Sequence, residues 1–182
     1  IENVPEDAEF FQVDAIYLNQ MKKMTKDVDI IIHTACTAYE GLSVFSPYLV
    51  GQNTYQISMS TFTAAAANGV SKVINCSSMA RYGYQTETPF REDMIPAPQD
   101  PYGIAKLASE ETLKVLSEVN NFQYVNLVPH NIIGPKQKYN DPFRNVVSIM
   151  INRMLQGKAP IIYGDGNQTR CFSYIDDCLS CL

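Results

Sequence analysis

Three short, densely apolar segments alternate with helical patterns along this 182-residue chain. They are DVDIIIHTA (Asp27 to Ala35), VSKVINCSS (Val70 to Ser78) and FQYVNLVPH (Phe122 to His130). Short runs rich in β-branched residues are typical of strands that are buried on both faces of a sheet. Because a helical pattern separates each run from the next, the strands are predicted to be parallel. The sequence therefore predicts an α/β fold with a doubly wound parallel sheet covered on both faces.

The helical patterns have clear ends. MSTFTAAAANG carries Gly69 where a helix would stop, and NVVSIMINRMLQGK also ends near a glycine. Between them, PYGIAKLASEETLKVLSEVNN is predicted to form a long amphipathic helix. Its apolar positions are Ile104, Leu107, Leu113 and Leu116. The short run APIIYG (residues 159–164) is predicted to be a further strand.

Ligand sites of open parallel sheets form in the loops at the carboxyl ends of the strands. In this chain those loops are HTACTAY after the first strand, SSMARYG after the second and PHNIIGP after the third. A site is therefore predicted at this edge of the sheet. No GxGxxG or other glycine-rich strand-to-helix turn is present in the sequence. The loop that usually cradles dinucleotide phosphates is therefore absent from these 182 residues.

Composition excludes several other classes of function. The net charge of −5 leaves no basic footprint for nucleic acid, and no apolar run approaches the ~18 residues of a membrane span. The first residues, IENVPEDAEFF, lack the pattern of a signal peptide. Five irregularly spaced cysteines favour free thiols and a reducing, cytoplasmic setting. Cys178 and Cys181 form a CxxC without a second ligand pair, so no metal site is predicted.

The helix that begins near Pro101 carries a candidate acid/base pair. Tyr102 and Lys106 are four residues apart and project from one face of a helix. A lysine beside a tyrosine can lower the phenol's pKa, which is ordinarily near 10. Ser78, at the end of the second predicted strand, is placed to hydrogen-bond a substrate oxygen. Together the three residues could remove a proton from an alcohol while a nicotinamide accepts hydride.

Four motifs follow one another: SSMARYG, PYGIAK, NIIGP and IYGDGNQTRCFSYIDD. In this order they resemble the extended short-chain dehydrogenase/reductase family, and more narrowly its NAD-dependent nucleotide-sugar epimerase/dehydratase branch. The resemblance extends from about Val13 to Asp177 and implies a Rossmann-like fold, NAD as cofactor and a nucleotide-diphosphate sugar as substrate. It implies that Tyr102 is the acid/base, that Lys106 lowers its pKa and binds the nicotinamide ribose, and that Ser78 bridges to the reacting hydroxyl.

The resemblance also implies a set of cofactor contacts. VDAI matches the family's turn beside adenine, and HTACTA matches the loop whose backbone passes under the cofactor. An asparagine of the next helix matches one that buttresses the site, although the family's second asparagine, three residues later, is Gln56 here. The implied cofactor residues, besides Tyr102 and Lys106, are Asp14, Ala15, Thr34, Ala35, Cys36 and Asn53. His33, just before that loop, is predicted to pack in the core and not to bind a ligand.

Substrate contacts are implied further along the chain. Asn131 matches the asparagine that contacts the nucleotide diphosphate, and Arg170 matches the arginine that pairs with its phosphates. Asn145 and Val146 match the start of the helix beside the nucleotide base. Ser78 completes the substrate set.

Two departures from the family pattern bear on the reaction. Pro129 has no backbone N–H to offer the cofactor. Met79 and Ala80 stand where related 4,6-dehydratases have an Asp-Glu pair, so elimination of water lacks its second acid/base group. Epimerisation through a keto-sugar needs only the serine, tyrosine and lysine, and a 4-epimerase is therefore predicted. The alternatives are a dehydratase or reductase of the same family and a non-catalytic nucleotide-binding relative.

The resemblance further implies that family members extend beyond both ends of this sequence. Residues 1–130 are predicted to be part of a dinucleotide-binding domain, and residues 131–182 part of a substrate-binding region. The 182 residues alone are expected to bind NAD weakly or not at all, because the glycine-rich loop is missing. Family members pair through two helices per subunit, so a homodimer is predicted through MSTFTAAAANG and YGIAKLASEETLKV.

Overall fold

Three parallel strands form the central sheet of the computed structural model, which describes residues 3–141 and 146–180. They are β1 (Ile30–His33), β2 (Lys72–Cys76) and β3 (Gln123–Leu127), in the order β1-β2-β3. In the register of the sheet, Ile32 is opposite Ile74, which is opposite Val125. The three strands predicted from apolar runs are confirmed, and so are their parallel direction and the α/β class.

Helices connect these strands and continue after them. The α-helices are α1 (Leu18–Met24), α2 (Glu40–Ser43), α3 (Pro47–Gly51), α4 (Ile57–Asn68), α5 (Pro101–Asn120), α6 (Val146–Leu155) and α7 (Ile175–Leu179). A π-helical turn, Gln52–Gln56, joins α3 to α4, and a 3₁₀ turn, Met79–Arg81, follows β2. No helix in the described ranges is both long enough and apolar enough to cross a membrane.

The end of α4 and the start of α5 are each fixed by a specific local conformation, and the first is at the predicted glycine. Gly69 follows α4 with φ +69°, a left-handed conformation that glycine adopts without strain. At the start of α5, the Asp100 carboxylate accepts a hydrogen bond from the Gly103 N–H at 3.0 Å, and Pro101 occupies the first helical position. The cap fixes where α5 begins, and with it the position of Tyr102.

The apolar core lies between the sheet and the helices α4 and α5. Phe62 of α4, Val73 of β2 and Leu113 of α5 are fully buried there, together with Val70 and Phe122. Burial of each large apolar side chain contributes about 1.5–3 kcal/mol to stability. This packing holds α5 against the sheet and so fixes its distance from the end of β2.

In the described part of the chain, one face of the sheet is fully covered and the other only over the central strand, where Ile74 is 7% exposed. Ile31 and Val73 point into the core, whereas Ile30 and Ile32 of β1 are each 51% exposed. Val125 of β3, on the same face as these two isoleucines, is also exposed. The expectation that helices cover both faces is thus met on the α4–α5 face alone.

A second, two-stranded sheet follows the first. It pairs β4 (Ile132–Ile133) with β5 (Ser173–Tyr174) in parallel. The strand predicted over residues 159–164 is wrong, because that segment pairs with no strand among the described residues and Tyr163 is exposed. An apolar extended run becomes a strand only when a partner satisfies its backbone. The division into residues 1–130 and 131–182 stays a prediction.

The buried face of α5 differs from the predicted one. Ile104 is 54% exposed, so its assignment to the apolar face is wrong, while Leu113 is fully buried and Leu107 and Leu116 are partly buried. The buried positions of α5 are Tyr102, Gly103, Ala105, Lys106, Ser109, Glu110, Leu113 and Ser117. The inward face is therefore largely polar, which is unusual for a helix packed on a sheet and indicates a site.

Candidate active site

Ser78 lies just beyond the carboxyl end of β2, where the chain leaves the sheet. It caps the 3₁₀ turn: its Oγ accepts a hydrogen bond from the Ala80 N–H at 3.2 Å, and its carbonyl accepts one from the Arg81 N–H. The turn holds the hydroxyl at the edge of the sheet and directs the following residues toward α5.

Tyr102 occupies the second position of α5 and is only 5% exposed. Its phenol is hydrogen-bonded to the Ser78 hydroxyl. The close approach depends on Gly103, because a Cβ atom there would lie 2.6 Å from the Ala80 carbonyl oxygen. The structure thus brings Ser78 and Tyr102 together as the sequence predicts.

Lys106, one turn further along α5, is 3% exposed. Its Nζ donates a hydrogen bond to the Cys76 carbonyl at 2.6 Å and lies 5.9 Å from the centroid of the Tyr102 ring. The ammonium is thereby fixed at the end of β2. The third member of the predicted set therefore lies beside the other two.

The pKa of Tyr102 departs from expectation. Burial raises it well above the ordinary value near 10, and the neighbouring Cys36 raises it further, while the hydrogen bond with Ser78 acts in the opposite direction. The predicted lowering by Lys106 is not observed in this structure, since its ammonium is directed at the Cys76 carbonyl. Tyr102 is therefore a protonated phenol here.

Cys36 contacts the site through its side chain, a role that the sequence does not predict. Its thiol is a hydrogen-bond neighbour of the Tyr102 phenol. Cys36 belongs to the loop whose backbone is predicted to pass under the cofactor. In this loop Thr34 and Ala35 are exposed at the end of β1. The loop is fixed by a hydrogen bond from the Thr37 N–H to the Asn53 carbonyl at 3.2 Å.

The remaining implied cofactor residues lie on two elements. Asn53 is half-buried within the π-helical turn, whose irregular backbone is a form often found at functional sites. Asp14 and Ala15 lie in a turn before α1, where the Asp14 carboxylate accepts a hydrogen bond from the Ile16 N–H at 3.0 Å. No contact in the described structure joins this turn to Tyr102.

His33 packs in the core, as predicted. Its Nε2 lies 3.0 Å from the Ser58 hydroxyl and its ring stacks edge-on against Phe62 at 5.3 Å. Burial, with the charge of Lys106 as a smaller cause, lowers its pKa from 6.5 to about 4. The imidazole is therefore neutral at physiological pH.

This neutral imidazole predicts a pH-dependent stability. Between pH 6.5 and 4 the unfolded state binds a proton that the folded state does not, so this stability is present above pH 6.5 and is lost toward pH 4. The whole difference corresponds to about 3 kcal/mol. Urea denaturation at pH 7 and pH 4.5 is expected to give a smaller pH dependence for His33→Gln than for the wild type. An equal dependence in both proteins would contradict this assignment.

The implied substrate residues are only partly assembled. Asn131 adopts φ +42° and its Nδ2 donates a hydrogen bond to the Cys171 carbonyl at 3.0 Å, which places it beside the segment of Arg170. Arg170 is exposed, and its Nη1 donates to the neighbouring Thr169 carbonyl. Val146 is exposed at the start of α6, and Asn145 lies outside the described residues.

Three residues beside the site escaped prediction. Glu110 is 4% exposed, accepts a hydrogen bond from the Ser77 hydroxyl and pairs with Arg81, whose Nη2 lies 3.3 Å from the carboxylate. The spacing of Lys106 and Glu110, one turn apart on α5, was the available signal. A pattern of apolar positions alone does not reveal it, because the buried face of α5 is largely polar.

The strand edge has some of the groups that could hold the nicotinamide and ribose part of a dinucleotide. Lys106 uses one of its three N–H donors on the Cys76 carbonyl, which leaves two for ribose hydroxyls. Thr34 and Ala35 leave the end of β1 open to a flat ligand. These residues fit NAD. Across residues 3–141 and 146–180, no group of three or more His, Cys, Asp or Glu side chains could hold a metal ion.

A parallel sheet with a serine just beyond one strand, and with a tyrosine and a lysine one turn apart on the following helix, is the arrangement of a short-chain dehydrogenase/reductase. The chain belongs to the NAD-dependent epimerase/dehydratase family, whose model matches residues 2–182. It is 32% identical over 179 residues to a putative UDP-glucose 4-epimerase of Methanocaldococcus jannaschii, covering 96% of this chain and 58% of that protein. The chain thus spans little more than half of this relative.

Solved structures of similar proteins have the same fold. One is a UDP-N-acetylglucosamine 4-epimerase of Methanobrevibacter ruminantium in complex with UDP-N-acetylmuramic acid, with TM-score 0.91 and 34% identity over 96% of this chain and 56% of that one. Another is a UDP-glucose 4-epimerase of Thermotoga maritima with UDP-glucose, with TM-score 0.93 and 29% identity over 99% of this chain and 59% of that one. Both likenesses confirm the Rossmann-like fold.

Proposed function

We propose that the complete protein interconverts the C4 epimers of a nucleotide-diphosphate sugar with NAD as a resident cofactor. The observation that carries this proposal is the buried Tyr102 phenol, hydrogen-bonded to Ser78 with the Lys106 ammonium on the same helix face. Met79 and Ala80, in the turn beside them, offer no carboxylate for the elimination of water. The similar proteins named as 4-epimerases give further support.

Each member of the set has one task. Tyr102 takes the proton from the sugar's C4 hydroxyl and returns it to the keto oxygen, while Ser78 hydrogen-bonds that oxygen and orients it. NAD, when bound, supplies the acceptor and donor of hydride at the same carbon. Lys106 holds a ribose and stabilises the phenolate by its charge. The high pKa of Tyr102 in the structure favours proton donation, so this positive charge is required for the first step.

The binding residues follow the same proposal. Asp14, Ala15, Thr34, Ala35, Cys36 and Asn53 would contact NAD, and Asn131, Asn145, Val146 and Arg170 would contact the nucleotide diphosphate. The UDP-glucose and UDP-N-acetylmuramic acid bound to similar proteins favour a UDP-sugar. To bind the phosphates, the exposed Arg170 side chain would exchange its hydrogen bond to the Thr169 carbonyl for hydrogen bonds to the phosphate oxygens.

We also propose a cytoplasmic homodimer. Exposed apolar side chains on the outer side of α5, Ile104 and Val115, support pairing through this helix. Tyr55, whose hydroxyl lies 3.3 Å from the Thr112 hydroxyl, links the same surface to the π-helical turn before α4. Free thiols at Cys36, Cys76, Cys171 and Cys178 are compatible with a reducing compartment.

Product analysis tests the reaction. The complete protein, supplied with NAD and with UDP-glucose or UDP-N-acetylglucosamine in deuterated water, is expected to yield the C4 epimer at unchanged mass. After the hydroxyl groups are exchanged back into ordinary water, no deuterium should remain in the sugar, because hydride leaves and returns to the same carbon. A product lighter by one water would show a dehydratase instead. Absence of any product from a panel of nucleotide sugars would favour a non-catalytic relative.

A further inference from the structure

The buried carboxylate of Glu110 receives two contacts from one short segment. The Ser77 hydroxyl donates to one oxygen, and Arg81 Nη2 lies 3.3 Å from the other. Ser77 directly precedes Ser78, and Arg81 is the last residue of the 3₁₀ turn that Ser78 caps. We call Ser77, Arg81 and Glu110 the Glu110 clamp, because together they fasten both ends of the Ser78 segment to α5.

Formation of the Glu110 clamp requires the desolvation of two charged side chains. The Arg81 side chain is 14% exposed, Glu110 is nearly fully buried, and burial raises the pKa of Glu110. Arg81 Nε is buried without a hydrogen-bond partner among the described residues. A buried ion pair commonly contributes little net stability, because desolvation of both charges offsets their attraction. Stability alone therefore does not account for the arrangement.

The position of the clamp suggests what it does. Glu110 lies one helical turn beyond Lys106 and two turns beyond Tyr102, on the same buried face of α5. Arg81 is fixed from its other side as well, because its guanidinium lies 5.0 Å from the Tyr82 ring and its carbonyl accepts the Ala97 N–H at 3.0 Å. The Arg81 N–H also donates to the Ser78 carbonyl at 3.1 Å, so a movement of Arg81 relative to Glu110 is expected to shift Ser78 relative to Tyr102.

We propose that Arg81 is a positioning residue, which acts through Glu110 to hold the Ser78 hydroxyl against Tyr102 in the reactive arrangement. The inference rests on the proposed function, since it assigns Arg81 to the same proton transfer. Arg81 touches neither Ser78 Oγ nor the phenol in the structure, so its effect is on geometry. Displacement of a reacting group by about 1 Å can cost about 10²-fold in rate.

Charge gives the clamp a second function. Glu110 pairs directly with Arg81, whereas Lys106, one turn away on α5, acts on Glu110 only through its charge. Loss of Arg81 leaves Lys106 as the cation nearest to Glu110, so its Nζ is drawn from the Cys76 carbonyl toward the carboxylate. Ser78 and Lys106, the two residues that act on Tyr102, would then both be displaced.

The test compares variants of the complete protein by steady-state kinetics of epimerisation. Arg81→Met is expected to lower kcat roughly 10- to 100-fold with KM for the UDP-sugar within about threefold. Arg81→Lys keeps the positive charge and should recover most of the loss. Arg91→Met is the matched control, since Arg91 is exposed and its ion pairs in the described structure are with Glu87 and Asp93 of the same loop. Each rate is measured well below the Tm of that variant.

A double-mutant cycle separates positioning from independent effects. Arg81→Met and Glu110→Gln are expected to be strongly non-additive in kcat, because either change opens the same clamp. If Arg81→Met does not fold, Ser77→Ala removes the other contact to Glu110 and should lower kcat in the same way. A crystal structure of the variant should show a longer distance between Ser78 Oγ and the Tyr102 oxygen.

Two outcomes would overturn the inference. One is a folded Arg81→Met variant with kcat within twofold of the wild type. The other is additive losses for Arg81→Met and Glu110→Gln. Failure of the proposed function looks different, because then the wild type does not epimerise any UDP-sugar, or Tyr102→Phe is as active as the wild type.

Discussion

Replacement of Tyr102 by phenylalanine is expected to lower kcat for epimerisation roughly 10²- to 10⁴-fold in the complete protein. The change removes one oxygen atom and leaves the ring, which is buried between α5 and the turn after β2. The lost hydroxyl is the partner of Ser78 and the proposed carrier of the C4 proton.

Steady-state kinetics and thermal unfolding together make this test specific. Tyr84→Phe is the matched control, since Tyr84 is 73% exposed and lies in the loop after the Ser78 turn. Its kcat should equal that of the wild type. The Tm of Tyr102→Phe should stay within a few degrees of the wild type, because a buried phenol loses one hydrogen bond worth about 1 kcal/mol. A Tyr102→Phe enzyme with undiminished kcat would remove Tyr102 from the mechanism.

Gly103→Ala is expected to have the second large effect, on both stability and activity. The added Cβ would lie 2.6 Å from the Ala80 carbonyl oxygen and 3.1 Å from the Pro98 side chain. The carbonyl belongs to the turn that Ser78 caps, so α5 has to move away from this turn. Alanine improves helix propensity by about 1 kcal/mol, but overpacking costs about 1–3 kcal/mol. We expect net destabilisation and a fall in kcat of about 10²-fold as Tyr102 leaves Ser78.

A second glycine supplies the comparison for this variant. Gly51, at the end of α3, has φ −62°, and a Cβ atom added there would meet no atom within 4 Å outside its own helix. Gly51→Ala should therefore keep full activity and raise the free energy of unfolding by up to about 1 kcal/mol. Urea denaturation and kcat are measured for both variants. Wild-type kcat in a folded Gly103→Ala variant would show that the close approach of α5 to the turn is dispensable.

The sheet could be predicted from the sequence because the signal is local. Each of β1, β2 and β3 is a run of β-branched residues, and Asp100, Pro101 and Gly69 mark the ends of the helices between them. Ser78, Tyr102 and Lys106 are predicted by the family resemblance of their motifs, and parallel topology places the end of one strand beside the start of the next helix. Their proximity needs no knowledge of side-chain packing.

The parts that were missed depend on contacts between distant residues. The Arg81–Glu110 pair joins residues 29 positions apart, and neither residue is unusual in its own segment. Residues 159–164 contain the apolar pattern of a strand, yet no described strand pairs with them. The high pKa of Tyr102 arises from burial and from Cys36, neither of which the tyrosine–lysine spacing reveals. Sequence patterns therefore predict which residues form the candidate site but not their electrostatic environment.

The π-helical turn that carries Asn53 makes this part of the chain sensitive to the deletion of a single residue. A π-turn contains one residue more than the α-turn that it replaces, and deletion of one residue from Gln52–Gln56 would restore a continuous α-helix. The helix beyond it would then rotate by about 100° relative to α3. After this rotation the chain could not keep both Phe62 in the core and the hydrogen bond from the Thr37 N–H to the Asn53 carbonyl. Single-residue deletions should therefore be tolerated far less here than in the exposed loop around Tyr84.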